Sequence, residues 1–543
     1  MARFVPRGRW VRPQWMGRWI AAFRLLLPCL FAAAPSLAHA DPVLTWNSVM
    51  LDTIRQTSAL LVDGPPEVAR EMAMLDTAMF DAVNAATGLT YRPFAYTGGA
   101  VAGVSADAAA LAAGYRVMTS IFSSPLWQMA PPAGNPAIAA TVLANIDAAY
   151  ASALSGLNTV NPQVAQGLAL GQAAADAVIA KRAGDGANAA IVNGLTPQAP
   201  PGSGTVPGVY VPPSASGGRP EMMPTWGTVT PFGTPVGTIQ QYQAELPTAQ
   251  QIAQDGLASF IKSPGYAQAV LQAQCGGSAT ALSVPTAAAC AAAGFAPETP
   301  EQRKAALFWN DPGGTMQPPG HWLQIANTVM TLPGMELSLL QEARLSALLS
   351  MAEADAGIAA WGVKYQENLW RPITAIRDCS GWNSAFTTCD ATWTSLIATP
   401  PHPDYLAGHP AFSAAAAEIL QRFFGTDAIA FCSTSDPYVN GAQGPVGPLT
   451  ECFDSFSEAS TGPNGAEFSR VSGGIHTPFA VEEAADLGQR IGVFVFDNNL
   501  QAVPEPATGA LLAPALIGLA LYRRRRDPAG TRAGARADAE AQD

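Results

Sequence analysis

Charge is scarce in this sequence, and positive charge scarcer still. Only 13% of the 543 residues are Asp, Glu, Lys or Arg, and from Asp41 to Leu500 there are 17 basic residues against 36 acidic ones. A stretch carrying about −19 argues against nucleic acid or an anionic membrane surface as its partner. That stretch holds four lysines, Lys181, Lys262, Lys304 and Lys364, and the whole chain has five histidines. The seven cysteines include no C-x-x-C spacing, which removes the common zinc and thioredoxin-type patterns. No repeat of solenoid period and no sustained strand alternation occur, so repeat arrays and β-sandwiches are excluded. What is present is 48% hydrophobic residues over a length sufficient for two or three domain-sized units, a globular composition with a large core.

The ends carry addresses. Arg3, Arg7, Arg9, Arg12, Arg18 and Arg24 precede an apolar run from Leu25 to Ala34, and Ala38-His39-Ala40 supplies small residues for cleavage before Asp41. Residues 1–40 therefore read as a secretory signal, with an uncleaved anchor as the alternative; both export the body. At the other end Val503-Pro504-Glu505-Pro506 is followed by an apolar run from Ala507 to Tyr522 and then Arg523-Arg524-Arg525-Arg526. Taken by itself that run is a short C-terminal membrane anchor with snorkelling arginines. Apart from Cys29 the cysteines form three local couples, Cys275 with Cys290, Cys379 with Cys389 and Cys432 with Cys452, and export favours disulfides over metal ligation.

Between the ends the periodicity is helical. Trp46–Leu61, Pro66–Ala86, Ala106–Phe122, Asn135–Leu154 and Asn161–Arg182 show apolar residues three and four apart, which predicts an N-terminal helical bundle over 41–192. Pro200-Pro201-Gly202-Ser203-Gly204 and Pro212-Pro213 mark 193–247 as a loop or linker. Helical periodicity returns at Thr248–Phe260, from Glu301 and from Glu336 to Trp370, giving a second bundle over 248–500. A sorting segment at 501–526 and a disordered tail at 527–543 complete the expected organisation.

Three stretches carry the chemistry. In Tyr405-Leu406-Ala407-Gly408-His409-Pro410, Gly408 lets a ligand approach the backbone, Pro410 opens a helix, and the helix start presents free amides to an anion; His402-Pro403-Asp404 precedes it. Lys364 and Arg371 lie seven residues apart, two turns of one predicted helix, so both would face the same anion. The third stretch, Ser469-Arg470-Val471-Ser472-Gly473-Gly474-Ile475-His476, places a planar guanidinium and a second histidine before another helix. Each cation or histidine alone is compatible with a structural role. Their shared position at helix ends points to a single oxyanion site.

The order K-x6-R-P, a Gly-His turn and S-R-x3-G-x-H resembles the vanadium-dependent haloperoxidases and the acid phosphatases of the type-2 phosphatidic acid phosphatase superfamily. The matching residues are Lys364, Arg371 and Pro372; Gly408 and His409; Ser469, Arg470, Gly474 and His476. Met79–Asn84, Phe308–Asp311 and Pro318–Trp322 add to the resemblance. It implies an all-α fold of two helical bundles, flanked here by the signal helix and the short C-terminal hydrophobic helix. It also implies vanadate held by Lys364, Arg371, Arg470 and the Gly408 amide, with His476 binding vanadium(V) and His409 exchanging protons with hydrogen peroxide. The implied substrates are peroxide, a halide and a small organic acceptor. Two positions depart from the pattern: Ala407 stands where the family turn has serine, and Ala480 where many relatives have an acid that would orient the metal-binding histidine. The C-terminal segment resembles a PEP-CTERM sorting signal, which implies transient inner-membrane anchoring, an exosortase-type processing enzyme, and a periplasmic, envelope or extracellular destination. The same cage would suit an exported phosphatase, and loss of catalysis would leave an envelope scaffold.

Overall fold

Proline and a capping side chain start several N-terminal helices close to where the sequence places them. In this computed structural model, which describes residues 41–195, 206–212, 221–296 and 298–504, Asp41 accepts from the Val43 and Leu44 amides to open helix Pro42–Thr57. Ser105 caps Ala106–Phe122, and Asn135 and Asn161 cap Pro136–Ser155 and Pro162–Arg182. Each cap replaces an amide partner the helix cannot supply, worth about 1 kcal/mol. Pro65–Ala86 completes this group. Pro136–Ser155 is long and apolar enough to cross a bilayer; Ala139, Val142 and Ile146 are its buried residues.

The second half is built on the 29-residue helix Leu339–Glu367, opened by a reciprocal Ser338/Gln341 capping box. It is buried on nearly every side because Pro65–Ala86, Gly408–Phe424 and Pro478–Asn498 pack around it. The last two approach so closely that a Cβ on Gly488 would stand 2.2 Å from the Ala411 carbonyl oxygen. One apolar core runs from Val43 to Leu500 through both halves. The fold is mostly helical, as the periodicity predicts.

Several details differ from the sequence expectation. Residues 193–247 contain the one-turn helix Trp226–Thr228 and the helix Val236–Ala244. This strap is fastened to the core by the fully buried Trp226 and by Asp355, whose carboxylate accepts from the amides of Phe232, Gly233 and Thr234 at 2.6, 2.9 and 2.6 Å. The helix expected over Thr248–Phe260 is interrupted at Gly256, φ 76°. Two short antiparallel pairs interrupt the second half, Phe431–Thr434 with Thr450–Phe453 and Tyr438–Val439 with Pro445–Val446; at four and two residues they are too short for a sustained alternation to mark them in the sequence. The three expected disulfides are formed, Cys275–Cys290, Cys379–Cys389 and Cys432–Cys452, the last across directly opposed residues of the longer ladder. The signal at 1–40, the sorting segment from Glu505 onward and the tail at 527–543 lie outside the described residues.

Buried carboxyls give the first half a pH-dependent stability. Burial raises Asp63 to about 7, Glu67 to about 8 and Asp76 to about 7. Acids whose folded values exceed their unfolded ones stabilise fully below the unfolded range near 4, and that contribution is lost as pH rises through 7 to 8. Thermal melts are expected to show a Tm roughly 5–10 °C higher at pH 5 than at pH 8.5; a Tm that rises over that interval contradicts the assignment.

Candidate active site

Lys364 occupies the last turn of the long helix, but Arg371 does not share that helix. Asn368 turns left-handed at φ 50° and closes it, and Arg371 caps the next short helix, Pro372–Arg377. The expectation of two cations on one helical face is thus corrected: a sharp chain reversal, not helical periodicity, sets their positions. Lys364 Nζ donates to the carbonyls of Pro403 and Asp404 at 2.9 and 3.4 Å. Arg371 donates Nε to the His402 carbonyl at 2.6 Å and Nη1 to the Ile475 carbonyl at 2.7 Å.

Arg371 also settles a tautomer. Its Nη1 lies 2.9 Å from His476 Nε2, and because a guanidinium only donates, that ring nitrogen carries a lone pair. The proton is then on Nδ1, which donates to Asp404 Oδ1 at 2.6 Å. Asp404 is held in turn by the Thr477 hydroxyl at 2.8 Å. A carboxylate that fixes the ring and raises the basicity of its free nitrogen is the usual partner of a metal-binding histidine. The orienting group sought near position 480 is therefore Asp404, 72 residues upstream of the ring it holds. Position 480 has another use: its carbonyl accepts from the Ala407 amide at 2.9 Å.

Gly408 opens helix Gly408–Phe424. A Cβ there would stand 3.0 Å from the Trp361 ring, so glycine lets the turn lie flat on the indole. His409, next in sequence, is half-buried. Its Nε2 is 3.3 Å from the Asn310 carbonyl and 3.4 Å from Arg470 Nη1. The two contacts are alternatives, since Asn310 accepts when Nε2 carries a proton and Arg470 donates when it carries a lone pair, so the surroundings suit either state of that nitrogen. Arg470 is fixed by Ser469 Oγ at 3.0 Å and the Ala306 carbonyl at 3.3 Å. Gly474, φ 74°, turns the chain so that His476 follows Arg470 back into the site.

These groups surround a cavity of about 260 Å³ lined by His402, Gly408, His409, Arg470 and His476, with Trp361, Phe412 and Asp311 among the other walls. Arg371 reaches it from behind, through His476 and through His402 Nδ1 at 2.9 Å. Lys364 lies behind the same wall and acts as a field rather than a contact. Lys364, Arg371 and Arg470 are all fully buried, and none makes an ion pair with a carboxylate among the described residues. Burial, and then Arg371, push Lys364 well below its ordinary value; burial brings Arg371 and Arg470 each down to about 10. Burial and the neighbouring cations hold His409 and His476 neutral, well below the usual imidazole range. Asp404 is raised by burial to about 6, with Arg371 opposing. An oxyanion in the cavity would reverse the cationic penalty.

Sequence reasoning noted His402 and Asp404 without giving them roles and did not single out Trp361. The missing acid at Ala480 was the signal that another carboxylate must serve His476.

Residues 344–504 match the protein-family model described as the VCPO second helical-bundle domain. The vanadium chloroperoxidase of Curvularia inaequalis is 28% identical over 145 residues, a match spanning 23% of this chain and 23% of that relative. Among solved structures, the first bacterial vanadium-dependent iodoperoxidase aligns with a TM-score of 0.60 at 20% identity, covering 86% of this chain and 96% of that one. The apo-type bacterial vanadium-dependent chloroperoxidase aligns at 0.53 and 15% identity, covering 80% and 93%. The fold is thus the helical fold of these solved peroxidases, and the segment that carries Lys364, Arg371, Gly408, His409, Arg470 and His476 is similar to the second helical-bundle domain of the vanadium chloroperoxidase type.

Proposed function

We propose that this chain is a vanadate-dependent haloperoxidase that oxidises halide with hydrogen peroxide to a hypohalous species. The observation that carries the reading is Arg470 and the unprotonated His476 Nε2 on the wall of one cavity, with Arg371 and Lys364 buried behind that wall and none of the three ion-paired to a carboxylate among the described residues. That donor set fits vanadate: Arg470 and the Gly408 amide would hold its oxygens, Arg371 and Lys364 would offset its charge from behind the wall, and His476 Nε2 would bind the metal in place of the Arg371 Nη1 contact it now accepts. When bound, the group supplies Lewis-acid activation of peroxide without changing its oxidation state. The chain's own work is to position and to move protons. Asp404 keeps the His476 proton on Nδ1, Trp361 and Phe412 keep the cavity wall apolar, and His409 Nε2 exchanges a proton with peroxide while Arg470 lies beside it.

The same cage would serve phosphoryl transfer, with His476 as nucleophile and His409 as acid; the Asp404–His476 contact is the observation that favours this second reading. Three disulfides support an oxidising compartment, in keeping with export to the periplasm, envelope or exterior, where an exosortase-type enzyme would process the C-terminal segment. The test is bromination of an activated phenol by purified, orthovanadate-treated protein with peroxide and bromide. Halide-dependent turnover inhibited by phosphate is expected. Hydrolysis of an aryl phosphate that vanadate inhibits identifies the phosphatase instead, and neither activity leaves a scaffold.

A further inference from the structure

A second cavity of about 50 Å³ adjoins the main one and shares Met222, Gly313, Gln317 and Pro401 with it. Among its described lining residues one ionisable side chain occurs, Glu221. Glu221 is 4% exposed, and its Oε1 has no hydrogen-bond partner. Gln317 donates Nε2 to the Ser58 carbonyl at 3.2 Å, which leaves its Oε1 buried and unpartnered as well. A chamber that size exceeds the roughly 10–15 Å³ a water molecule needs, and two bare acceptor oxygens give such a water something to donate to.

The strap carrying Glu221 is pinned to the active-site wall. The Met222 amide donates to the Pro401 carbonyl at 2.9 Å, and the Met222 carbonyl accepts from Trp361 Nε1 at 3.2 Å and the Tyr365 hydroxyl at 2.8 Å. The ionisable groups that sense Glu221 are the phenols of Tyr210 and Tyr365, both neutral near pH 7. Tyr210 is fully buried with its hydroxyl unpartnered. Among the described residues no cation is paired with Glu221, and burial raises it to about 7.

Hypohalous acid formation consumes acid. Halide, peroxide and one proton give hypohalous acid and water: the O–O bond breaks, a halogen–oxygen bond forms, and two electrons pass from halide to peroxide. His409 can supply a proton only if it regains one each cycle, yet burial and then Arg470 push it well below the usual imidazole range. We propose that Glu221, through water held in the small chamber, returns that proton to the main cavity, acting as a relay that does not itself touch substrate. The proposal rests on the haloperoxidase reading.

The experiment compares the full-length wild type with E221Q and E221D in two measurements. With orthovanadate, peroxide and bromide, E221Q is expected to lower kcat roughly ten-fold or more and to abolish the fall in kcat centred near pH 7. KM for bromide and the vanadate Kd stay as in the wild type, and E221D keeps the pH limb. In infrared titration of vanadate-free protein, the wild-type minus E221Q difference spectrum should show one protonated-carboxyl component that disappears with a midpoint near pH 7, over the bands of Asp63 and Asp76 that both proteins share. Wild-type kcat and pH profile in E221Q overturn the relay, as does absence of the Glu221 band. A loss accompanied by weaker vanadate binding and a lowered Tm overturns it too, since that marks a wall residue. If the wild type itself shows no halide-dependent turnover, the functional reading falls and the relay with it, a result visible without any variant.

Discussion

His409→Ala is expected to lower halide-dependent turnover of the vanadate-treated protein by about 10²–10⁴-fold, the usual loss for a positioned acid–base group. Vanadate affinity should change little, because Arg470 keeps its contacts to Ser469 and Ala306 and His476 keeps Asp404. His409 is half-buried at the cavity edge, so truncation removes a proton-exchanging ring without opening the core. Steady-state rates with bromide, alongside a vanadate titration of the same variant, separate the two effects. Equal losses of rate and affinity would move His409 from proton transfer into the oxyanion cage.

His476→Ala is expected to have the larger effect on binding and to abolish vanadate retention, because the one ring nitrogen offered to the metal is gone. Asp404→Asn provides the graded comparison. It leaves the ring in place but removes the charge that orients it at 2.6 Å, and loss of such a partner commonly costs about 10–100-fold in metal affinity. The variant also removes a negative charge that partly offsets Lys364 and Arg371, which favours an added anion and limits the loss. Equilibrium dialysis of vanadate across wild type, Asp404→Asn and His476→Ala should therefore give three ordered affinities. Wild-type affinity in His476→Ala would exclude it as the ligand.

What the sequence made legible was local. Caps such as Asp41, Ser105 and Asn135 and the prolines beside them lie within a few residues of what they control, so helix starts could be read directly. The cysteine pairs close short loops, and the Gly408-His409 turn and the Arg470–His476 stretch each declare themselves by composition. What escaped was set by chain reversals and by contacts across long separations. Asn368 is an ordinary residue whose left-handed turn redirects Arg371. Asp404 meets His476 across 72 residues, just ahead of two helices that pack against each other. Trp361 looked like any buried aromatic of a long helix, although its indole forms the floor under Gly408. The strap after residue 193 read as a linker because its prolines and glycines dominate, while its anchors are three amides held by one buried carboxylate on another helix.

The central claim is that Arg470 on the cavity wall, with Arg371 and Lys364 buried behind it, makes this pocket an oxyanion site. Its most direct test is calorimetric titration of the purified full chain with orthovanadate, repeated in buffers of different ionisation enthalpy. One-to-one binding, competed by phosphate and accompanied by proton uptake rather than release at Lys364, since an anion opposes the burial and the Arg371 charge that lower it, is the predicted result. Absence of saturable binding, or binding unchanged in Arg371→Met and Arg470→Met, would contradict it.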